Sequence, residues 1–260
     1  MSAPSSHPRR PRWVRTLRAK AIAVAALLAL VLVSSVANGV VTASEKSSLV
    51  AYGQKIALPN GDINVYRNGG TGPTMVFLSG YGTPAPAVDF APLVRELDAF
   101  NVIVIEGFGY GYSNLDVADR SVENITSEIH QVLARLEVTS RVVLVAHSVG
   151  GLYAHYYANA YPDQVAAIVG IDPMTSRTST LEVGTPAITD GVVNSLGLFR
   201  LVSSVAPDLI QPPGTAYTAE ERRRIAAMTN WNYGNASISD EWSRIAANST
   251  TADEKPLPSD

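Results

Sequence analysis

Ser148 lies in a pentapeptide that is typical of a serine nucleophile. Residues 146–150 read Ala-His-Ser-Val-Gly, so the residues two positions before and after the serine are both small. A serine on a tight turn from a strand into a helix has a strained backbone, and only small neighbours fit beside it. The apolar run 141–146 predicts the strand, and residues 151–161 predict the helix. The pattern therefore predicts a serine hydroxyl presented for attack on an acyl carbon.

Two glycine-rich loops precede this pentapeptide, and each follows a predicted strand. Residues 79–83 read Ser-Gly-Tyr-Gly-Thr, and residues 106–113 read Glu-Gly-Phe-Gly-Tyr-Gly-Tyr-Ser. With these loops and the serine pentapeptide in this order, the sequence resembles the α/β-hydrolase superfamily of lipases, esterases and peptidases over roughly residues 51–173. Ala146 replaces the first glycine of the family's G-x-S-x-G motif, and Ser79 stands where many relatives carry histidine.

The resemblance implies roles for backbone groups as well as side chains. Ser148 would be the nucleophile, and the N–H groups of Val149 and Tyr81 would stabilise the oxyanion that forms on the attacked carbonyl. The family places an acid and then a histidine base after the serine in chain order. Asp172 is a candidate acid; the alternative is that it only opens the turn before Pro173.

The histidine base is the missing part of this constellation. The sequence has four histidines, and none follows His155. His130, His147 and His155 are interpreted as structural residues, and His7 is expected on the cytoplasmic side. Two explanations stay open. The chain is a truncated form of a longer hydrolase and lacks the C-terminal strands, which we favour, or it belongs to a lineage that lost catalysis.

The N-terminus predicts a membrane-targeting segment. Residues 1–20 carry six basic residues and no acidic one, and an apolar segment follows at 21–41. Its length suits a bilayer span, and a signal peptide is the alternative. The basic flank is expected in the cytoplasm. The favoured location is therefore the cell membrane, single-pass with the domain extracytoplasmic, and the alternative is secretion after cleavage.

Predicted strands and helices alternate over residues 49–173, and this pattern predicts an α/β fold with a mainly parallel sheet covered by helices on both faces. Strands at 49–57 and 62–67 form a predicted hairpin, and strands then alternate with helices at 86–99 and 122–136 up to residue 173. The hydrolase core is expected at 49–173. A helical lid, with stretches at 191–205, 219–229 and 239–247, and a truncated end are expected at 174–260.

Composition narrows the function further. The chain lacks cysteine, which excludes a thiolate nucleophile, and the acidic excess after the basic N-terminus argues against nucleic acid as a partner. No metal site or cofactor is indicated. The sequence predicts a membrane-anchored serine hydrolase that acts on an ester or related acyl bond of a small-molecule acyl substrate. A non-catalytic hydrolase-fold surface or ligand-binding protein is the alternative. Four tyrosines near the motifs suggest a moderately apolar acyl group: Tyr81, Tyr110, Tyr112 and Tyr153.

Overall fold

The sheet has six strands in the computed structural model, which describes residues 12–175 and 189–258. The strands follow the spatial order β1-β2-β4-β3-β5-β6. β3 pairs in parallel with β4 and β5, β5 pairs in parallel with β6, and the β1–β2 hairpin adds antiparallel strands at one edge. The mainly parallel sheet is therefore confirmed. The bounds are β1 (Gln54–Leu58), β2 (Gly61–Arg67), β3 (Thr74–Leu78), β4 (Asn101–Glu106), β5 (Val142–Ser148) and β6 (Val165–Pro173).

Helices cover both faces of this sheet. Alternate side chains of each strand point to opposite faces, so Val76 joins the apolar layer under α4 (Val122–Arg135) and α5 (Gly150–Ala160). Phe77 joins the opposite layer, under α2 (Pro86–Asp89) and α3 (Ala91–Val94). The strands are buried on both sides, which explains their continuous apolar sequences.

Two boundaries predicted from the sequence are wrong. The single helix expected at 86–99 is two short helices that meet at Phe90. Pro92 has no N–H to donate, and its ring would clash with the carbonyl four residues earlier, so one continuous helix cannot form there. The first strand begins at Gln54 rather than at residue 49, because residues 49–53 form an irregular connection from the N-terminal helix, which ends at Ser48.

Four helices follow β6 in the described part of the chain, and we call them the cap helices. They are α6 (Thr189–Ser195), α7 (Leu198–Val205), α8 (Ala219–Asn232) and α9 (Ala236–Ala252). Gly197, with a φ of 72°, separates the first two. A capping box of Thr218 and Glu221 starts α8, and Asn235 caps α9. The stretches expected at 219–229 and 239–247 are thus present as longer helices, whereas the one expected at 191–205 is divided into two helices at Gly197.

A long N-terminal helix, α1 (Arg12–Ser48), stands apart from the core over most of its length. Its segment Thr16–Ser48 has a mean hydropathy of 2.3 in its most apolar window, and none of that window is buried. By length and composition it is suited to cross a membrane. Its C-terminal end contacts the cap helices: the Arg200 guanidinium pairs with the Glu45 carboxylate at 2.7 Å.

Candidate active site

The turn at Ser148 has the strained geometry that the sequence predicts. Ser148 is the last residue of β5 and has a φ of 50°, a left-handed conformation that residues other than glycine rarely adopt. The turn is held from both sides. A Cβ on Gly150 would lie 2.7 Å from the Leu78 carbonyl oxygen, and the Met174 N–H donates to the Ser148 carbonyl at 2.7 Å. Glycine is therefore required beside the serine, and the neighbouring strand ends fix the strained turn.

The loop at 79–83, which we call the first loop, runs directly beside this turn. A Cβ on Gly80 would lie 3.0 Å from the Ser148 Cβ and 2.9 Å from the His147 Nδ1. The backbone that carries the Tyr81 N–H therefore passes next to the serine. Val149 is buried and occupies the N-cap position of α5, where the positive end of the helix dipole lies.

A cleft of about 810 Å³ opens between the first loop, α2, α3 and the cap helices. Tyr81 and His147, which flank the serine turn in space, both border it. Its lining is mostly apolar and aromatic. Asp89 is the one carboxylic residue among its described lining residues, and burial raises the pKa of Asp89 to about 7, with the nearby Glu106 charge adding to the effect. The apolar and aromatic side chains of the cleft lining include Phe90, Leu93, Ile171, Phe199, Ile210, Tyr217 and Ile225.

The second glycine loop, residues 106–113, wraps a buried carboxylate. Glu106 is inaccessible and accepts hydrogen bonds from the Tyr52 hydroxyl at 2.6 Å and the Asn64 amide at 2.9 Å, and also from the Tyr112 N–H. Burial raises the Glu106 pKa, and these hydrogen bonds offset part of the rise. Gly111 must be glycine, because its φ is 54° and a Cβ there would overlap the Glu106 carboxylate. The glycine at position 111 thus makes room for the buried Glu106 carboxylate. The sequence pattern did not predict this structural role.

Another buried carboxylate joins the cap helices to the core. Glu241 on α9 accepts a hydrogen bond from the Tyr110 hydroxyl at 2.6 Å and one from the Tyr153 hydroxyl. The Tyr110 oxygen in turn accepts from the Gly82 N–H of the first loop at 3.3 Å. Burial raises the pKa of Glu241, although both tyrosines lower it. Of the four tyrosines expected around a substrate, only Tyr81 borders the cleft. Tyr110 and Tyr153 are buried on Glu241, so that expectation is wrong for them.

Comparison with known proteins fixes the family. The model of the alpha/beta hydrolase fold family matches residues 73–248, more than half of the chain. The chain belongs to the alpha/beta hydrolase fold family. The uncharacterized protein YbdG of Bacillus subtilis is 27% identical over 222 residues, covering 82% of this chain and 68% of that protein. The 2-(acetamidomethylene)succinate hydrolase of Mesorhizobium japonicum is 30% identical over 107 residues, covering 41% of this chain and 37% of that protein.

Solved structures agree on the fold of this hydrolase-family chain. The meta-cleavage product hydrolase of Pseudomonas fluorescens superposes with a TM-score of 0.53 at 19% identity, covering 76% of this chain and 72% of that one. Identity at this level shows the shared fold alone.

The described residues place no hydrogen-bonded base at Ser148. The candidate acid belongs to the neighbouring strand β6, whose Pro173 pairs with Ser148. Asp172 lies at the end of β6 with a φ of 45°, and it is exposed and does not border the cleft. The His155 ring contacts the Lys255 carbonyl at 2.8 Å, and the His130 ring contacts the Gln164 side chain at 3.1 Å. Within residues 12–175 and 189–258, no side chain hydrogen-bonds the Ser148 hydroxyl. His7 lies outside the described residues.

Proposed function

We propose that this chain is a serine hydrolase that uses Ser148 as its nucleophile and cleaves an ester or related acyl bond of a small molecule. The observation that carries the proposal is the left-handed Ser148 at the end of β5, with Gly80 packed beside it. A serine held this way presents its hydroxyl at the mouth of the strand–helix turn. The cleft that borders the turn supplies room for an apolar acyl group.

The chemistry assigns one step to each group. The Ser148 Oγ bonds to the acyl carbon while its proton passes to a base. The base then returns this proton to the leaving oxygen or nitrogen, so that the alcohol or amine departs as the tetrahedral adduct collapses to an acyl-serine. The Val149 and Tyr81 N–H groups donate to the oxygen that becomes negative in this adduct. Water then releases the acyl group as a carboxylic acid. Asp172 is proposed as the acid that orients the base, and no described histidine hydrogen-bonds the Ser148 hydroxyl.

A labelling experiment tests this proposal. The full chain, purified in detergent, is treated with a fluorophosphonate probe, and the modified residue is located by mass spectrometry. We expect the adduct on Ser148, none in Ser148→Ala, and unchanged labelling in Ser243→Ala, whose hydroxyl is exposed and bonds the Asp240 carbonyl on α9. A folded wild-type chain that resists the probe would refute the proposal.

That negative result would favour the second candidate, a non-catalytic ligand-binding protein of the same fold. The lack of a hydrogen-bond partner for the Ser148 hydroxyl in the described residues motivates this alternative. Such a protein would bind apolar ligands in the cleft with equal affinity before and after Ser148→Ala, and would release no product.

We further propose that α1 anchors the domain outside the cytoplasm. The exposed apolar helix supports this, and so does the hydrogen bond from the Ser35 hydroxyl to the Ser195 carbonyl at 2.9 Å, which removal of residues 21–41 as a signal peptide would abolish. Because the chain lacks cysteine, single introduced cysteines report on topology. We expect a membrane-impermeant maleimide to label Ser243→Cys in intact cells and Ser5→Cys only after permeabilisation. Labelling with the opposite sidedness would contradict the anchor.

A further inference from the structure

Asp89 is an uncompensated carboxylate at the edge of the cleft. It lies at the end of α2 and is partly accessible, and it borders the cleft together with Tyr81 and His147. The described lining of this cleft contains no lysine and no arginine. Among the described residues, the ionised side chain therefore has no positive group beside it in a mostly apolar space, which is an unfavourable place for a charge.

Nothing in the described part of the chain donates to this carboxylate. The Tyr217 hydroxyl, which borders the same cleft, bonds the Asp89 main-chain carbonyl instead, at 2.8 Å. The other carboxylate close to it, Glu106, has its own four donors from the protein. Glu106 also repels a charge on Asp89, which together with burial accounts for the raised pKa of Asp89. The fold thus satisfies Glu106, whereas the partly accessible Asp89 carboxylate has no hydrogen-bond donor among the described residues.

We propose that Asp89 recognises an ammonium group on the substrate. The proposal rests on the proposed function, since it takes the cleft beside Ser148 as the acyl-substrate site. The substrate class is an acyl compound with an apolar chain and a primary amine, the chain lying along the apolar lining and the ammonium reaching Asp89. A cation there would neutralise the carboxylate and occupy its free acceptor positions.

The test measures binding without turnover. Full-length Ser148→Ala in detergent is titrated with hexylamine and with hexan-1-ol at pH 8.5, where Asp89 is ionised and the amine is protonated, and the heats are recorded by calorimetry. Both probes have the same six-carbon chain. We expect hexylamine to bind at least tenfold more tightly than hexan-1-ol. We also expect hexanoate, with a carboxylate in place of the amine, to bind more weakly than the alcohol.

A second variant ties this preference to one residue. Asp89→Asn is expected to bind the two probes within twofold of each other while keeping its affinity for hexan-1-ol, which shows that the cleft is intact. Asp98→Asn is the matched control, because Asp98 is exposed and borders a different groove. The proposal would be overturned if Ser148→Ala with Asp89 intact bound hexylamine and hexan-1-ol equally. It would also be overturned if the preference for hexylamine persisted after Asp89→Asn.

The two proposals fail separately. Fluorophosphonate labelling of Ser148 without any preference for the amine would leave the hydrolase function standing and remove the role of Asp89. A preference for the amine that depends on Asp89, in a chain that resists the probe, would keep the binding site and remove the hydrolase function.

Discussion

The Tyr81 ring packs against the Trp242 indole with the ring centroids 4.8 Å apart, so α9 contacts the loop that runs beside Ser148. The preceding residue on α9, Glu241, reaches the same loop by a second route, since it holds Tyr110, whose oxygen accepts the Gly82 N–H. Two adjacent residues of one cap helix thus position the backbone that is proposed to bind the oxyanion.

Glu241→Gln is expected to weaken this connection. The glutamine side chain has one acceptor oxygen, whereas the carboxylate accepts from both Tyr110 and Tyr153, so one buried hydroxyl loses its acceptor. We expect the free energy of unfolding, measured by urea titration, to fall by about 1–3 kcal/mol, because a buried polar group without a partner carries this penalty. We also expect slower fluorophosphonate labelling of Ser148.

Glu220→Gln is the control for this prediction, because Glu220 is exposed on α8 and its ion pair with Arg224 lies at the surface. It should change stability by less than about 0.5 kcal/mol. Equal stability of the two variants would contradict the role assigned to Glu241.

Asp89 should make stability fall as pH rises. Its pKa is about 7 in the folded chain and 3.8 in the reference state, so the folded state binds more protons between these values. The contribution of Asp89 to stability is then greatest below about pH 4 and is lost progressively as pH rises from about 4 to 7. Asp89→Asn mimics the protonated form. It should be more stable than wild type by roughly 2–4 kcal/mol above pH 8, and the difference should vanish below pH 4.

Thermal unfolding of both chains from pH 3.5 to 8.5 checks this dependence. Asp98→Asn, at an exposed position, should follow the wild-type curve throughout. A stability gap between Asp89→Asn and wild type that is the same at every pH would count against a titrating Asp89.

Features set by local sequence were predictable, and those that depend on distant contacts were not. The strained turn at Ser148 follows from five consecutive residues, and the buried strands follow from continuous apolar runs. Tyr110 and Glu241 are 131 residues apart, so neither the burial of the tyrosine nor the function of the glutamate has a local signature. Ser121 occupies the N-cap position of α4, but its side chain makes no capping hydrogen bond, and the Asn248 side chain from the distant α9 accepts the first helical N–H, that of Val122, at 2.9 Å.

Gly111→Ala should disrupt the second loop. The new methyl group would overlap the Glu106 carboxylate, and the φ of 54° is unfavourable for alanine. The carboxylate cannot move away without breaking its hydrogen bonds to Tyr52 and Asn64. We expect a loss of at least about 2–3 kcal/mol in the free energy of unfolding.

Gly107→Ala is the matched control in the same loop. A Cβ at Gly107 meets its nearest neighbour, the Tyr110 ring, at 3.8 Å, an ordinary contact. Its stability should stay within about 0.5–1 kcal/mol of wild type. If both substitutions lowered the free energy of unfolding equally, the requirement for glycine at position 111 would not come from its close approach to Glu106.

Arg200→Ala should loosen α1 from the cap helices while leaving the core intact. The guanidinium donates to Asn38 at 2.7 Å, to Thr42 at 2.9 Å and to both oxygens of Glu45, so it joins α7 to almost two turns of α1. Removing it leaves these acceptors to water, and the end of α1 should open more often. We expect amide hydrogen exchange at residues 38–48 to accelerate about tenfold with β4 and β5 unchanged, measured by mass spectrometry in detergent.

Arg135→Ala, exposed at the end of α4, should leave both regions at wild-type rates. Unaltered exchange at residues 38–48 in Arg200→Ala would mean that α1 is held by its other contacts, such as the Trp231 Nε1 donating to Glu45.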